Sequence, residues 1–304
     1  MTRVAAFDCG TNSLRLLVAD LDPESGAMTE LVREMRIVRL GQGVDRTGRI
    51  AEESMARTFA ALDEYAGLVA EHAPTRMRFC ATSAARDASN SADFMNGVRD
   101  RLGVEPEVID GDEEARASFA GATRALPDVD APVLVLDIGG GSTELILGDG
   151  TSVTTAQSLD IGSVRLTERH LHDDPPNPDQ VAALCADVDA ALDSGIVDPG
   201  LARTVVGVAG TVTTVAAGAL GLPAYDRTRI HLARLTAAQV HGTVADLVAM
   251  TVADRRALGY MHPGRADVIG AGALILDRVL RRASVDELVV SESDILDGIA
   301  WSLT

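Results

Sequence analysis

The sequence predicts an α/β protein made of two related lobes, and three observations carry that prediction. One pattern is written twice: Val4-Ala5-Ala6-Phe7-Asp8-Cys9-Gly10-Thr11-Asn12-Ser13 returns 129 positions later, counted from Asp8 to Asp137, as Val133-Leu134-Val135-Leu136-Asp137-Ile138-Gly139-Gly140-Gly141-Ser142. Apolar runs of strand character alternate with stretches of helical period along most of the chain. An acidic, proline-containing stretch, residues 126–132, separates the copies and sets a first lobe at 1–125 and a second at 126–304.

Each copy opens with an apolar strand ending in an Asp, turns on small residues, and continues in a second strand at 14–20 or 145–147. In the first lobe Met55, Phe59, Leu62, Ala66 and Val69 recur at spacings of four and three, the stripe of an amphipathic helix. Residues 78–81 read as a strand, 92–102 as a helix and 107–109 as a short strand. A helix over 112–125 follows, which Gly111 and Asp112 can start. The second lobe repeats the theme with a turn at 160–163, a helix at 179–192 and a strand at 204–208. Helices at 213–219, 236–250 and 267–282, a strand at 287–291 and a helix at 295–303 complete it.

Composition narrows the function classes. With 46% hydrophobic and 24% charged residues the chain is that of a soluble globular protein. Asp8 interrupts the first apolar stretch before a secretory segment can form. The uncharged run 204–225 has the length of a membrane span, but its four Gly, four Thr and Pro223 argue against one. Cys9, Cys80 and Cys185 are odd in number and far apart, which reads as reduced thiols in a cytoplasmic protein. All 27 basic residues are Arg, so Schiff-base chemistry and the lysine of a Walker A loop are excluded. A net charge of −18 argues against nucleic acid and anionic membranes as partners. Locally the balance reverses: Arg33, Arg36, Arg39, Arg46 and Arg49 face Glu34 and Asp45 between residues 31 and 50, as a solvated strand or a basic approach to a site.

The segment Asp137-Ile138-Gly139-Gly140-Gly141-Ser142-Thr143-Glu144 carries the strongest chemistry. Gly139, Gly140 and Gly141 let the backbone approach a phosphate, Ser142 adds a hydroxyl, and Asp137 and Glu144 are hard oxygen ligands for Mg²⁺. A dinucleotide fingerprint fits poorly, because Glu144 stands at the third glycine and a strand follows. The first copy offers Asp8 to a cation and the amides of Gly10, Thr11, Asn12 and Ser13 to a phosphate. Gly210 and Thr211, between a strand and a helix, are a third set of donors. Arg86 is a guanidinium at a strand end, either a clamp or an ordinary surface residue. Asp112, Glu113 and Glu114 open a helix, where they cap it, or where mutual repulsion raises one carboxylate into the range of a base. His170-Leu171-His172 has a metal-like spacing but sits in a solvated helix end.

These pieces resemble a known family, the exopolyphosphatases and guanosine pentaphosphate phosphatases. The resemblance rests on residues 8–15, with Arg15 included, and on 81–86, 111–116, 137–144, 207–211 and 265–269, in the family's order over nearly the whole chain. It implies two ribonuclease-H-like lobes of the actin, sugar kinase and heat-shock ATPase superfamily around an interdomain cleft, with the last helix, 295–304, packing back on the first lobe. It implies Glu114 as catalytic base, with Glu113 the neighbour that could be confused with it, and Arg86 as phosphate clamp. Asp137, Glu144 and Asp8 are then metal ligands, with Mg²⁺ or Mn²⁺ as the ion. The expected substrate is inorganic polyphosphate, in short chains, or guanosine pentaphosphate, and a homodimer is compatible. The chain stops at Thr304, without the C-terminal HD-like domain of longer members. A kinase of the same superfamily and a non-catalytic sensor of polyphosphate or guanosine tetraphosphate are the rival readings.

Overall fold

A computed structural model of the protein describes residues 1–124, 126 and 129–304. Of the predicted connector, Pro127 and Asp128 lie outside the described residues, as does Ala125. The chain divides into two compact units, Met1–Gly121 with Ile295–Thr304, and Ala122–Asp294.

The first unit runs β1 (Thr2–Cys9), β2 (Ser13–Asp22), β3 (Ala27–Ile37), α1 (Val44–Thr47), α2 (Glu52–His72), β4 (Arg76–Ala81), α3 (Ser83–Asp87), α4 (Ser91–Leu102), β5 (Pro106–Val108) and α5 (Gly111–Arg124). Its sheet has the order β3-β2-β1-β4-β5, antiparallel across β1, β2 and β3 and parallel from β1 to β4 and β5. The second unit runs β6 (Val133–Ile138), β7 (Thr143–Gly148), β8 (Val153–Leu159), α6 (Ser163–His170), α7 (Pro178–Ser194), a 3₁₀ turn (Pro199–Leu201), β9 (Thr204–Val208), α8 (Ala209–Ala219) and α9 (Arg227–Ile230). β10 (Arg234–Thr236), α10 (Ala237–Ala249), α11 (Val252–Ala257), α12 (Ile269–Arg282) and β11 (Glu287–Val290) follow, and α13 (Ile295–Trp301) returns the chain to the first unit. The second sheet, β10-β11-β9-β6-β7-β8, repeats the first arrangement with β10 added antiparallel at one edge. The fold is therefore α/β with two ribonuclease-H-like units.

Period-two alternation explains how β1 is buried on both faces. Ala5, Phe7 and Cys9 join Leu14, Leu16, Phe79, Leu62, Tyr65 and Phe94 in one core, against α2 and α4. Val4 and Ala6 face the other way, into a core with Leu17, Ala19, Ile295, Leu296 and Ile299. Asp8 continues that second row, so its carboxylate emerges at the strand end on the side of α13. In the second unit Leu134, Leu136, Ile138, Leu145 and Leu147 feed the large core with α8, α10 and α12. Asp137 and Glu144 occupy the opposite face.

Several boundaries differ from expectation for local reasons. α5 is opened by Asp110, whose Oδ1 accepts from the Glu113 amide at 2.9 Å, rather than by Gly111 or Asp112. α8 begins at Ala209, four residues early, with Ala209 itself at φ 64°. The uncharged run 204–225 divides into β9 and an 11-residue α8. Among the described residues no helix is long and apolar enough to cross a membrane. α10 follows the sequence signal closely, with Thr236 and Gln239 forming a capping box.

Candidate active site

The duplicated hairpin is the same object in both units. In the first, the Gly10 amide donates to the Ser13 carbonyl at 3.0 Å; in the second, Gly139 donates to Ser142 at 3.0 Å. The carbonyl sides of both turns are occupied. Thr11 O accepts from Gly41 N at 2.8 Å, and Asn12 O from Val38 N and Arg39 N at 3.0 and 2.9 Å. Gly139 O accepts from Ser163 N at 3.0 Å, and Gly140 O from Val164 N and Arg165 N at 2.8 and 3.1 Å. Gly141 O accepts from the Arg165 guanidinium Nε at 2.7 Å. A planar peptide whose C=O is held on one side presents the next N–H on the other. The amides of residues 12–13 and 140–142 therefore point away from their scaffolds, the arrangement of an anion nest.

In the first unit a polar cluster forms where β1 and β4 end. Glu114, on the first turn of α5, is buried, at 7% exposure. Its Oε2 accepts from the Arg86 guanidinium at 2.6 Å, and Arg86 also donates to Ile109 O at 2.9 Å. Burial raises the Glu114 carboxyl above its ordinary value; the Arg86 charge and hydrogen bonds from Arg86 and Thr82 oppose this, and the charge of Asp8 adds to it. Thr11 and Ser83 share a buried hydroxyl–hydroxyl hydrogen bond at 2.8 Å. Arg15, the cross-strand partner of Asp8, grips it through Nε and Nη2 at 2.8 and 2.7 Å.

Several expectations are corrected here. Glu113 does not join Glu114: it is half exposed and pairs with Arg78, which also holds Glu107 at 2.7 Å. The Glu114 shift does not come from repulsion within the acidic run, since Asp112 goes to Arg116 at 2.7 Å; burial dominates, and the like charge is Asp8. Arg86 lies on the short helix α3 rather than at a strand end. Of the basic stretch, Arg33 is spent on Glu30 and Asp297, and Arg36 on Glu34 and Glu64.

In the second unit Asp137 and Glu144 are cross-strand partners, at 6% and 1% exposure, so both carboxylates lie side by side on one face. Glu144 accepts from the Ser158 hydroxyl at 2.7 Å. Gly210 stands at the start of α8, close enough to Arg265 that a β-carbon there would come 2.7 Å from its Nε. Gly272 of α12 gives room to both Thr211 and Ser163. The residues missed by sequence reasoning are the supports: Thr82, Ser83, Ser158, Gly162, Ser163, Arg165 and Arg265. Thr82, Ser83 and Arg265 lie inside motifs that the sequence marks; Arg165 carries no signal, because its role is to hold a carbonyl through a turn it does not neighbour in sequence.

Paired ribonuclease-H-like units, each with a backbone nest beside an Asp, define a protein built to handle phosphoryl groups. The chain belongs to the Ppx/GppA phosphatase family, whose model matches residues 17–304. It is 50% identical to Exopolyphosphatase 2 of Mycobacterium tuberculosis over 316 residues, covering 100% of this chain and 99% of that one. The crystal structure of an exopolyphosphatase-like protein superposes with a TM-score of 0.94 at 46% identity, covering 98% of each chain. A Ppx/GppA family member from Aquifex aeolicus gives a TM-score of 0.83 at 32% identity, over 99% of this chain and 97% of its own.

Proposed function

We propose that the protein is a divalent-metal-dependent exopolyphosphatase, releasing orthophosphate from the end of inorganic polyphosphate. The observation that carries the reading is Glu114: a buried carboxylate whose proton affinity is raised, fixed by Arg86 beside the nest of residues 10–13. A base must sit in an environment where taking a proton is favourable, and burial supplies that here. Its oxygen takes a proton from water as the water oxygen bonds to the terminal phosphorus. The bridging P–O bond breaks, and the shortened chain leaves with the bridging oxygen. Arg86 orients Glu114 and offers its remaining N–H groups to the phosphoryl oxygens, which the amides of residues 12–13 bind in the same unit; the second unit carries its own donors, the amides of residues 140–142 with Gly210 and Thr211.

The donor set of the second unit fits a hard cation. Asp137 and Glu144 form a pair of buried, adjacent carboxylates, and among the described residues no group of three or more His, Cys, Asp and Glu could hold a metal. Two carboxylates completed by water and phosphate oxygens is the habit of Mg²⁺ rather than of a closed protein cage, with Mn²⁺ the nearest substitute. Bound there, the ion would neutralise charge on the phosphate chain.

The test is Glu114→Gln, with phosphate release followed on short polyphosphate, long polyphosphate and guanosine pentaphosphate. Turnover should fall by more than ~10²-fold while polyphosphate binding persists. Near-normal turnover removes Glu114 from the role, and inactivity of the unmodified protein on all three substrates with Mg²⁺ or Mn²⁺ favours a sensor.

A further inference from the structure

We propose that Gly298, on the last helix, is a positioning residue for Glu114, setting how closely α13 seats against α5 and thereby where the carboxylate stands. This inference rests on the reading of Glu114 as the base.

α13 is built into the first unit and packs in the core formed with β1 and β2 through Ile295, Leu296, Ile299 and Ala300. It is also pinned electrostatically. Asp297 takes Arg33 Nη2 at 2.6 Å and Nη1 at 3.3 Å, and the residues that follow accept from Arg76, to Leu303 O at 2.6 Å, and from Arg78, to Ser302 Oγ at 3.1 Å. A helix fastened in this way is a fixed wall, not a loose tail.

Gly298 is the point where that wall meets the Glu114 helix. A β-carbon at Gly298 would overlap the Ala117 carbonyl oxygen, and would lie 2.7 Å from the carbonyl carbon and 3.1 Å from Cα. All three atoms are backbone, so no side-chain rotation relieves the overlap. Gly298 lies inside α13 and is not among the glycines of positive φ. The position therefore requires glycine for space, not for torsion. Ala117 is one turn beyond Glu114 on the same helix, so a shift at one is carried to the other. Restoring an ordinary carbon–carbon contact needs a displacement of at least about 0.7 Å. The Arg86–Glu114 hydrogen bond, now 2.6 Å, tolerates about 0.6 Å before it leaves the normal range. The required movement exceeds the slack.

The experiment is Gly298→Ala in the full chain, with binding of a non-hydrolysable imidophosphate-linked polyphosphate measured by calorimetry beside steady-state phosphate release. Calorimetric stoichiometry counts binding-competent molecules, so kcat per competent molecule separates misplacement from mere loss of folded protein. The expected result is a fall of about 10- to 100-fold in kcat per competent molecule, with analogue Kd and KM within about twofold of wild type, as about an ångström of misplacement predicts. A kcat per competent molecule within about twofold of wild type overturns the proposal. Should Gly298→Ala not fold, Asp297→Asn loosens the same wall by removing its Arg33 anchor. It should lower kcat in the same direction by a smaller factor, and unchanged kcat in the folded variant overturns the proposal. Glu114→Gln run in parallel keeps the two readings apart. If it retains turnover, the assignment of the base fails; if it is inactive while Gly298→Ala is normal, only the positioning role fails.

Discussion

Gly162→Ala is the perturbation that most directly interrogates the second nest. Gly162 precedes α6 with φ −154° and ψ 163°, extended backbone open to any residue, so alanine meets no torsional objection. The obstacle is spatial: an added β-carbon would stand 2.5 Å from both the carbonyl carbon and oxygen of Gly140 and 2.6 Å from the carbonyl carbon of Gly141. Clearing these backbone atoms requires the turn or the start of α6 to retreat by about 0.8 Å. That retreat would fall on the amides of Ser163, Val164 and Arg165 that hold the carbonyls of Gly139 and Gly140 at 2.8–3.1 Å. Overpacking of this kind costs about 1–3 kcal/mol, which in a chain of this size lowers Tm by several degrees. If the amides of residues 140–142 cradle phosphate, turnover should fall further than stability explains, by about 10²-fold. Phosphate release at saturating metal, paired with a thermal melt, measures both quantities. A variant that melts early yet keeps wild-type turnover at a temperature where it is folded would refute the cradle while leaving the packing argument intact.

Two further outcomes test other parts of the molecule. Asp137→Asn and Glu144→Gln should each raise the Mg²⁺ concentration needed for half-maximal phosphate release by more than ~10-fold, a value read from metal titration after exhaustive chelation. An unchanged metal requirement in both would move the ion elsewhere. The pH dependence of stability should carry a signature of Asp189, which burial pushes upward but which hydrogen bonds from Arg278 and Arg282, at 2.6–3.2 Å, hold below its ordinary value. A carboxylate with a depressed folded-state pKa contributes stability that is present above its unfolded value of about 3.9 and is lost as pH falls through the lower folded value. Asp189→Asn should therefore narrow its stability gap to wild type as the pH drops below about 4, and a gap that widens in acid would contradict the ion-pair account.

Much of this fold was legible because the sequence states it twice. A buried strand, an Asp and a small-residue turn form a local pattern, and its repetition predicted paired hairpins whose turn hydrogen bonds prove identical at Gly10 and Gly139. Long apolar stripes such as that of α2 were equally readable. What escaped was whatever depends on distant segments. Nothing local says that Glu113 will turn to Arg78 while Glu114 turns to Arg86, because the two differ only in which side of α5 they occupy once it is packed. Gly162 read as part of a turn and Gly298 as an ordinary helix residue; their importance lies in the backbones of Gly140 and Ala117, far off in sequence. β8 was under-read because its residues are half-buried and mixed, giving weak periodicity, and α6 because its eight residues complete barely two turns of an otherwise amphipathic pattern.

The two hairpins match in register as well as in shape, and the one position at which they differ in charge separates their roles. Asp8 faces Arg15 across its hairpin, and Asp137 faces Glu144 at the equivalent pair. In the first unit the Asp is met by a guanidinium at 2.7–2.8 Å, so that strand end is close to neutral and poorly suited to attract a divalent cation. In the second, two buried carboxylates stand side by side, a pair of hard oxygen donors of the kind a divalent cation takes. The metal proposal is therefore weighted to Asp137 and Glu144. Asp8 would act instead on the proposed base, because its charge lies near enough to Glu114 to raise that carboxyl further, while Arg15 holds Asp8 in place. On this reading a single Arg-for-Glu difference between duplicated hairpins assigns base tuning to one unit and cation binding to the other. Arg15→Gln should then lower turnover without changing the Mg²⁺ requirement, and a rise in that requirement comparable to that of Glu144→Gln would return Asp8 to the metal.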